Sequence, residues 1–201
     1  MSDSERNQRH QQRMQRKKAL IDAKVRQATE ERGIVLILKG TGKGKSSSAF
    51  GMVARALGHG QRVGVVQFIK GKWQTGEEKF FSAHPAVEFQ VMGTGFTWDT
   101  QNRELDRAAA ERTWQRATRM LDDPTLSLVV LDEITYLFQY AYLPLQCLLD
   151  ALASRPAGQH VVITGRPCPA ELETVADTVT EVRNVRHAFN AGVKAQPGID
   201  W

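Results

Sequence analysis

A three-layer α/β fold, with a mostly parallel central sheet and helices on both faces, is what the sequence predicts, on three observations. Short, unbroken apolar runs such as GIVLIL (33–38) and LSLVVLDE (126–133) read as strands buried on both faces. Amphipathic stretches alternate with these runs, and such an alternation requires right-handed crossovers that leave the strands parallel. A glycine-rich turn, LKGTGKGKSSSAFG (38–51), separates the first run from the first amphipathic stretch.

Taken in order, residues 1–32 are polar and rich in Gln and Arg, with sparse apolar positions at Met14, Leu20, Ile21 and Val25. No Pro or Gly precedes Gly33, which predicts a mobile arm running into a helix. GIVLIL is the first strand, and SSSAFGMVARALG a helix ending at Gly58. RVGVVQFI (62–69) and VEFQVM (87–92) are the second and third strands. Ala110, Trp114, Ala117 and Leu121 recur at i, i+4, i+7 and i+11, one face of a helix over Glu104–Leu121. The fourth and fifth strands, LSLVVLDE and HVVITG (160–165), flank a helix over LPLQCLLDALASR (143–155). Pro169 opens a helix over AELETVAD, and TVTEV (178–182) makes a last strand. The expected organisation is a basic N-terminal arm, 1–32, followed by one nucleotide-binding domain, 33–201.

The net charge of +5 is concentrated in the arm, which holds nine of the 27 Lys/Arg and five of the 22 Asp/Glu. The rest, 18 against 17, is nearly neutral, and that argues against a nucleic-acid partner, which wants a basic stripe on the folded domain. No run of 18 apolar residues offers a membrane span. The polar N-terminus has no signal-peptide centre, so a cytoplasmic location is expected. Cys147 and Cys168, the only cysteines, read as reduced thiols.

The glycine turn carries the chemistry. A loop between a buried strand and a helix aims free backbone amides and the positive helix end at one spot, which suits phosphate. Gly40, Thr41, Gly42, Lys43 and Gly44 form the loop, Lys45 adds a charge, and the hydroxyls of Ser46 and Ser47 suit a hard metal ion. The usual phosphate-loop signature places four residues between its glycines; here Gly40 and Gly44 bracket three. The second half of a nucleotide site is a strand ending in acid, and LVVLDE ends in Asp132 and Glu133. Together they make the expected fold a P-loop, RecA-like one. The acids alone leave two chemistries open: Glu133 orients an attacking water in an ATPase, or holds metal in a transferase.

The stretch MGTGFTWDTQN (92–102) places Phe96 and Trp98 in a loop with no helical stripe to join, as a flat apolar ligand would want. With it, GTGKGKSSSAFG, VGVVQFIKG, VVLDEITY, VVITGR and the tail HAFNAGVKAQPGIDW, in this order, resemble the P-loop type of ATP:cob(I)alamin (corrinoid) adenosyltransferases over essentially the whole chain. The short P-loop is a trait of that family.

The resemblance implies transfer of the 5′-deoxyadenosyl group of ATP to the cobalt of a reduced corrinoid, with release of triphosphate. It implies Mg2+ or Mn2+ held through Ser46 with Asp132 or Glu133, and Lys45 and Glu133 at the reacting groups. Phe96 and Trp98 match the family's aromatic pair, which fills the lower corrin face and leaves four-coordinate cobalt. Arg166 is implied beside phosphate, though its place at a strand end equally suits a cap. His187, Phe189 and Lys194 lie in the tail motif. A homodimer whose arm covers a neighbour's site, and a reductase such as a flavodoxin as electron donor, are further implications. Departures are Pro167 after the arginine, Pro197 in the tail, Trp201 at its end, and Ser46-Ser47 where relatives carry two threonines. The alternative is a RecA-like ATPase or small P-loop kinase, which needs an acceptor site that no stretch supplies.

Overall fold

The computed structural model describes residues 3–69, 74–93 and 102–200. It divides into two compact units, Met1–Glu31 and Arg32–Trp201. The first is one helix, α1 (Asp3–Gln27), with acids in its first turn and Lys24 and Arg26 in its last, matching the helix dipole. None of its residues is buried. The helix begins at Asp3, so the segment expected as a mobile arm is helical nearly from its start.

The second unit is a six-stranded sheet in the order β3-β2-β4-β5-β1-β6, built from β1 (Val35–Lys39), β2 (Val63–Gln67), β3 (Val87–Val91), β4 (Leu128–Asp132), β5 (His160–Gly165) and β6 (Thr178–Glu181). All five pairings are parallel. The β1 and β4 strands, which carry the glycine turn and the acids, are not neighbours. β5 lies between them.

Strand alternation distributes the apolar runs over two cores. Val129 and Leu131 of β4, with Val35, Ile37, Val161 and Ile163, face α4 (Arg103–Asp122), α5 (Thr135–Gln139), α6 (Leu145–Ser154) and α7 (Ala170–Val175). Leu128 and Val130, with Leu38, Val63, Val65 and Val162, face α2 (Lys45–Gly58) and Phe81 of α3 (Gly76–Phe81). Phe50 of α2 stacks on Phe81 and Phe89, at ring separations of 5.4 and 6.1 Å, pairs worth about 1 kcal/mol each beyond their burial. Of the stripe predicted for α4, Ala110, Ala117 and Leu121 are buried, and Trp114 packs against the same core from a partly exposed position.

Two short helices escaped the reading. The α3 helix has Thr75 as N-cap, its hydroxyl accepting from the Glu78 amide at 3.2 Å, and T-x-x-E is a legible capping signal. The α5 helix follows Glu133 at once and carries too few residues for periodicity to register.

Candidate functional site

Both halves of the site stand at the carboxyl ends of their strands, where ligands of open α/β sheets collect. The glycine turn leaves β1 and enters α2 at Lys45, with Gly44 as N-cap at φ 114, a left-handed conformation open to glycine. Ser48 is the first amide of α2 to find a backbone partner, the Gly44 carbonyl at 2.8 Å. The amides before it at the helix entrance have no intrahelical acceptor.

Gly40 and Gly42 are glycines for another reason. The turn lies against the chain that follows β6, so a Cβ on Gly40 would stand 2.5 Å from the Val182 carbonyl oxygen, and one on Gly42 2.6 Å from that of Arg183. The Gly42 amide donates to the Val182 carbonyl at 2.7 Å, and the Gly40 amide to the Arg166 carbonyl at 3.3 Å. These two amides, expected to face an anion, are committed to the protein; they hold the loop's shape. The Arg166 side chain is exposed, and its carbonyl ties β5 to the turn.

The two loop lysines diverge. Lys45 is buried and donates to the Gly42 carbonyl at 3.0 Å. Burial holds its ammonium below the usual lysine range; Glu133 opposes that, Arg166 adds to it, and Asp132 opposes it least. Lys43 instead turns outward and pairs with Asp200 of the tail. Around that pair the tail encloses a cavity of about 200 Å³ whose lining includes Lys43, His187, Phe189, Lys194 and Asp200. The three tail residues singled out from sequence thus share a cavity with the P-loop. His187 also has a structural duty, since its Nδ1 accepts from the Phe189 amide at 3.2 Å and caps a short 3-10 turn (Ala188–Ala191).

On the acid side, Asp132 is fully buried, its Oδ1 accepting from Thr164 Oγ1 at 2.7 Å and its Oδ2 from Gln67 Nε2 at 3.1 Å. Glu133 is partly exposed and has φ 61, so the chain leaves the strand path there. Its amide donates to Thr164 Oγ1 at 2.9 Å. Tyr136, one turn on, has its phenol pushed up by burial, with Glu133 adding to the effect.

Phe96, Trp98 and Trp201 lie outside the described residues. Sequence reading missed Gln67, Thr164 and Asp200. For the first two the signal was a polar residue near the end of an otherwise apolar buried strand, which has to find a partner. Among the described residues no group of three or more His, Cys, Asp or Glu is placed to hold a metal ion, and no helix is long and apolar enough to cross a membrane.

A glycine turn at a helix entrance, with a buried lysine and an acid-tipped strand two places along a parallel sheet, defines a P-loop nucleotide-binding protein. The model of the ATP:corrinoid adenosyltransferase family BtuR/CobO/CobP matches residues 31–201, and that of the cob(I)alamin adenosyltransferase N-terminal segment matches residues 1–25. The chain is 57% identical over 195 residues to the corrinoid adenosyltransferase CobA of Salmonella typhimurium, covering 97% of this chain and 99% of that one. It is 57% identical to the Escherichia coli K12 corrinoid adenosyltransferase with the same coverage, and 56% identical over 198 residues to that of Pseudomonas aeruginosa, covering 98% of each. The chain belongs to the ATP:corrinoid adenosyltransferase family.

Proposed function

We propose that the chain moves the 5′-deoxyadenosyl group of ATP onto the cobalt of a reduced corrinoid, at a site formed by the glycine turn and the acid-tipped strand. The observation that carries the reading is the one-residue-short turn G-T-G-K-G-K-S (40–46), opening into α2, in a chain whose family is adenosyltransferase along its whole length. Cob(I) supplies the electron pair that bonds to C5′; the C5′–O bond breaks, and its pair leaves with triphosphate. The nucleophile belongs to the substrate, so the protein's work is to hold the leaving anion and orient the ribose.

The amides entering α2, with Lys45 and Lys43, bind the triphosphate and stabilise its growing charge. Orientation of C5′ toward cobalt contributes about 7 kcal/mol or more where reacting groups are well aligned. An all-oxygen donor set of Ser46 with Asp132 or Glu133 suits Mg2+, which takes one or two carboxylates together with substrate phosphates and so needs no cluster of three. Bound there, the ion would neutralise part of the triphosphate charge. Phe96 and Trp98, matched to the family's aromatic pair, would supply apolar surface to the corrinoid and so favour reduction of its cobalt. Arg166, at the end of the strand tied to Gly40, and the tail residues His187, Phe189 and Lys194, which share a cavity with Lys43, are read as nucleotide contacts.

The protein works in the cytoplasm, takes its electron from a reductase such as a flavodoxin, and acts as a homodimer. Supporting the dimer, Met14, Ile21 and Val25 are exposed and recur at i, i+7 and i+11, with Leu20 exposed beside Ile21. The deciding experiment supplies chemically reduced corrinoid and MgATP to the full chain. A light-sensitive alkylcobalt spectrum with stoichiometric triphosphate is expected. Steady phosphate release without alkylation would overturn the reading in favour of an ATPase.

A further inference from the structure

Thr164, next to last in β5, is fully buried and lies between the two halves of the site. Its hydroxyl makes two bonds whose directions are forced. The Glu133 amide has only a proton to give, so Oγ1 accepts there at 2.9 Å; the hydroxyl's own proton then goes to Asp132 Oδ1 at 2.7 Å. Gln67 Nε2 takes the other Asp132 oxygen at 3.1 Å, from the residue paired with Asp132 across β2 and β4. Asp132 has no exposed surface to offer a metal, and each of its oxygens already accepts one of these bonds.

Glu133 differs. It is partly exposed and sits at φ 61, a conformation that side chains other than glycine resist. The bond from its amide to Thr164 fixes the peptide that sets this bend.

We propose that Thr164 is a positioning residue: it ties Asp132 into a strut and holds the Glu133 backbone in its left-handed bend, so that Glu133, and not Asp132, presents the carboxylate to the metal–triphosphate. The inference rests on the reading that this site takes ATP with a divalent ion.

The test is calorimetric titration of the full chain with ATP, in chelator and in excess Mn2+, with the Mn2+ paramagnetic resonance spectrum of each complex. The metal-dependent gain in ATP affinity is the readout. Thr164→Val is expected to lose about tenfold of that gain with a broadened Mn2+ spectrum, as for groups that orient a metal ligand, and Glu133→Gln at least as much. Thr164→Ser, which keeps both bonds, is expected to match the parent, and the titration in chelator gives the baseline from which each variant's gain is read. Full gain in Thr164→Val, failure of Thr164→Ser to restore it, or a loss in Asp132→Asn equal to that in Glu133→Gln would overturn the inference. If Thr164→Val does not keep its fold by circular dichroism, Thr164→Ala, which also lacks the hydroxyl, takes its place with the same readouts. No metal-dependent gain in the parent would overturn the inference together with the reading beneath it.

Discussion

The glycine turn and the acid-tipped strand are held in place by different means. The turn is shaped by backbone: Gly40 and Gly42 lie flush against the chain after β6, and their amides donate to the Arg166 and Val182 carbonyls. The acid end is shaped by side chains, through Gln67, Asp132 and Thr164 on three adjacent strands. A backbone-built anion site changes little with side-chain identity outside its glycines, whereas a side-chain relay fails when one hydroxyl is lost. β5 serves both halves, through the Thr164 hydroxyl on one side and the Arg166 carbonyl beyond its end on the other.

The largest effect expected within the turn is from Lys45→Ala. Its ammonium is buried at the mouth of α2, and in the proposed reaction it faces the leaving group with no solvent to replace it. Loss of a preorganised donor of this kind costs on the order of 100- to 1000-fold in rate. Single-turnover alkylation of pre-reduced corrinoid measures it; a fall of only a few-fold would shift the burden onto the amides.

Next comes a pair of substitutions that separates the two reasons for glycine. Gly42→Ala drives a methyl to 2.6 Å from the Arg183 carbonyl oxygen, and a backbone clash of that kind costs about 2–3 kcal/mol. Gly44→Ala meets nothing within 4 Å but sits at φ 114, so it carries conformational strain alone, about 1–2 kcal/mol. Thermal unfolding ranks them. Equal losses would mean that the contact with the chain after β6 yields easily.

This contrast also marks what was readable in advance. The fold was readable because buried parallel strands carry unbroken apolar runs, and all six appear within two residues of their expected ends. The turn was readable because backbone chemistry concentrates glycine in one stretch. The strut was not: Thr164 and Gln67 lie about a hundred residues apart, and nothing in HVVITG or VGVVQF says that both meet Asp132. Nor did spacing reveal that Gly40 and Gly42 serve the chain after β6, because that contact exists only once β6 pairs with β1. Asp200 escaped for a similar reason, being one acid in a tail with no periodic partner.

A smaller effect lies in pH. Burial lowers the Lys45 pKa from its ordinary 10.5, so the free enzyme loses this charge at a pH where an exposed lysine keeps it. The kcat/KM for ATP is therefore expected to fall on the alkaline side below that ordinary value, and Lys45→Arg to move the limb upward at whatever activity remains. For stability the sign is opposite. Between the lowered and ordinary pKa the unfolded chain binds more protons, so unfolding becomes less favourable as pH rises through that window. A limb unmoved by Lys45→Arg would assign it to another group.

The smallest expected effect tests the outward lysine. Lys43 pairs with Asp200 across a partly exposed contact, and Asp200 also accepts from the Gln196 amide at 2.8 Å. Both bonds hold the Asp200 carboxyl below its ordinary range, the Lys43 bond most, so whatever the pair adds to stability is present above the ordinary carboxylate pKa and fades as pH falls through the lowered one. An exposed pair of this kind adds little to folding, and the unfolding temperature of Asp200→Asn at neutral pH is expected to match the parent. On the proposed reading its influence is on binding: Lys43 would serve a triphosphate after leaving Asp200, so removing that competing anion is expected to lower the KM for ATP about two- to fourfold, a difference that shrinks as salt rises. Lys43→Met is expected to raise the KM and to make Asp200→Asn silent in the double variant. If Asp200→Asn raises the KM instead, the tail carboxylate holds Lys43 toward the nucleotide, and the turn depends on side-chain support as the acid strand does.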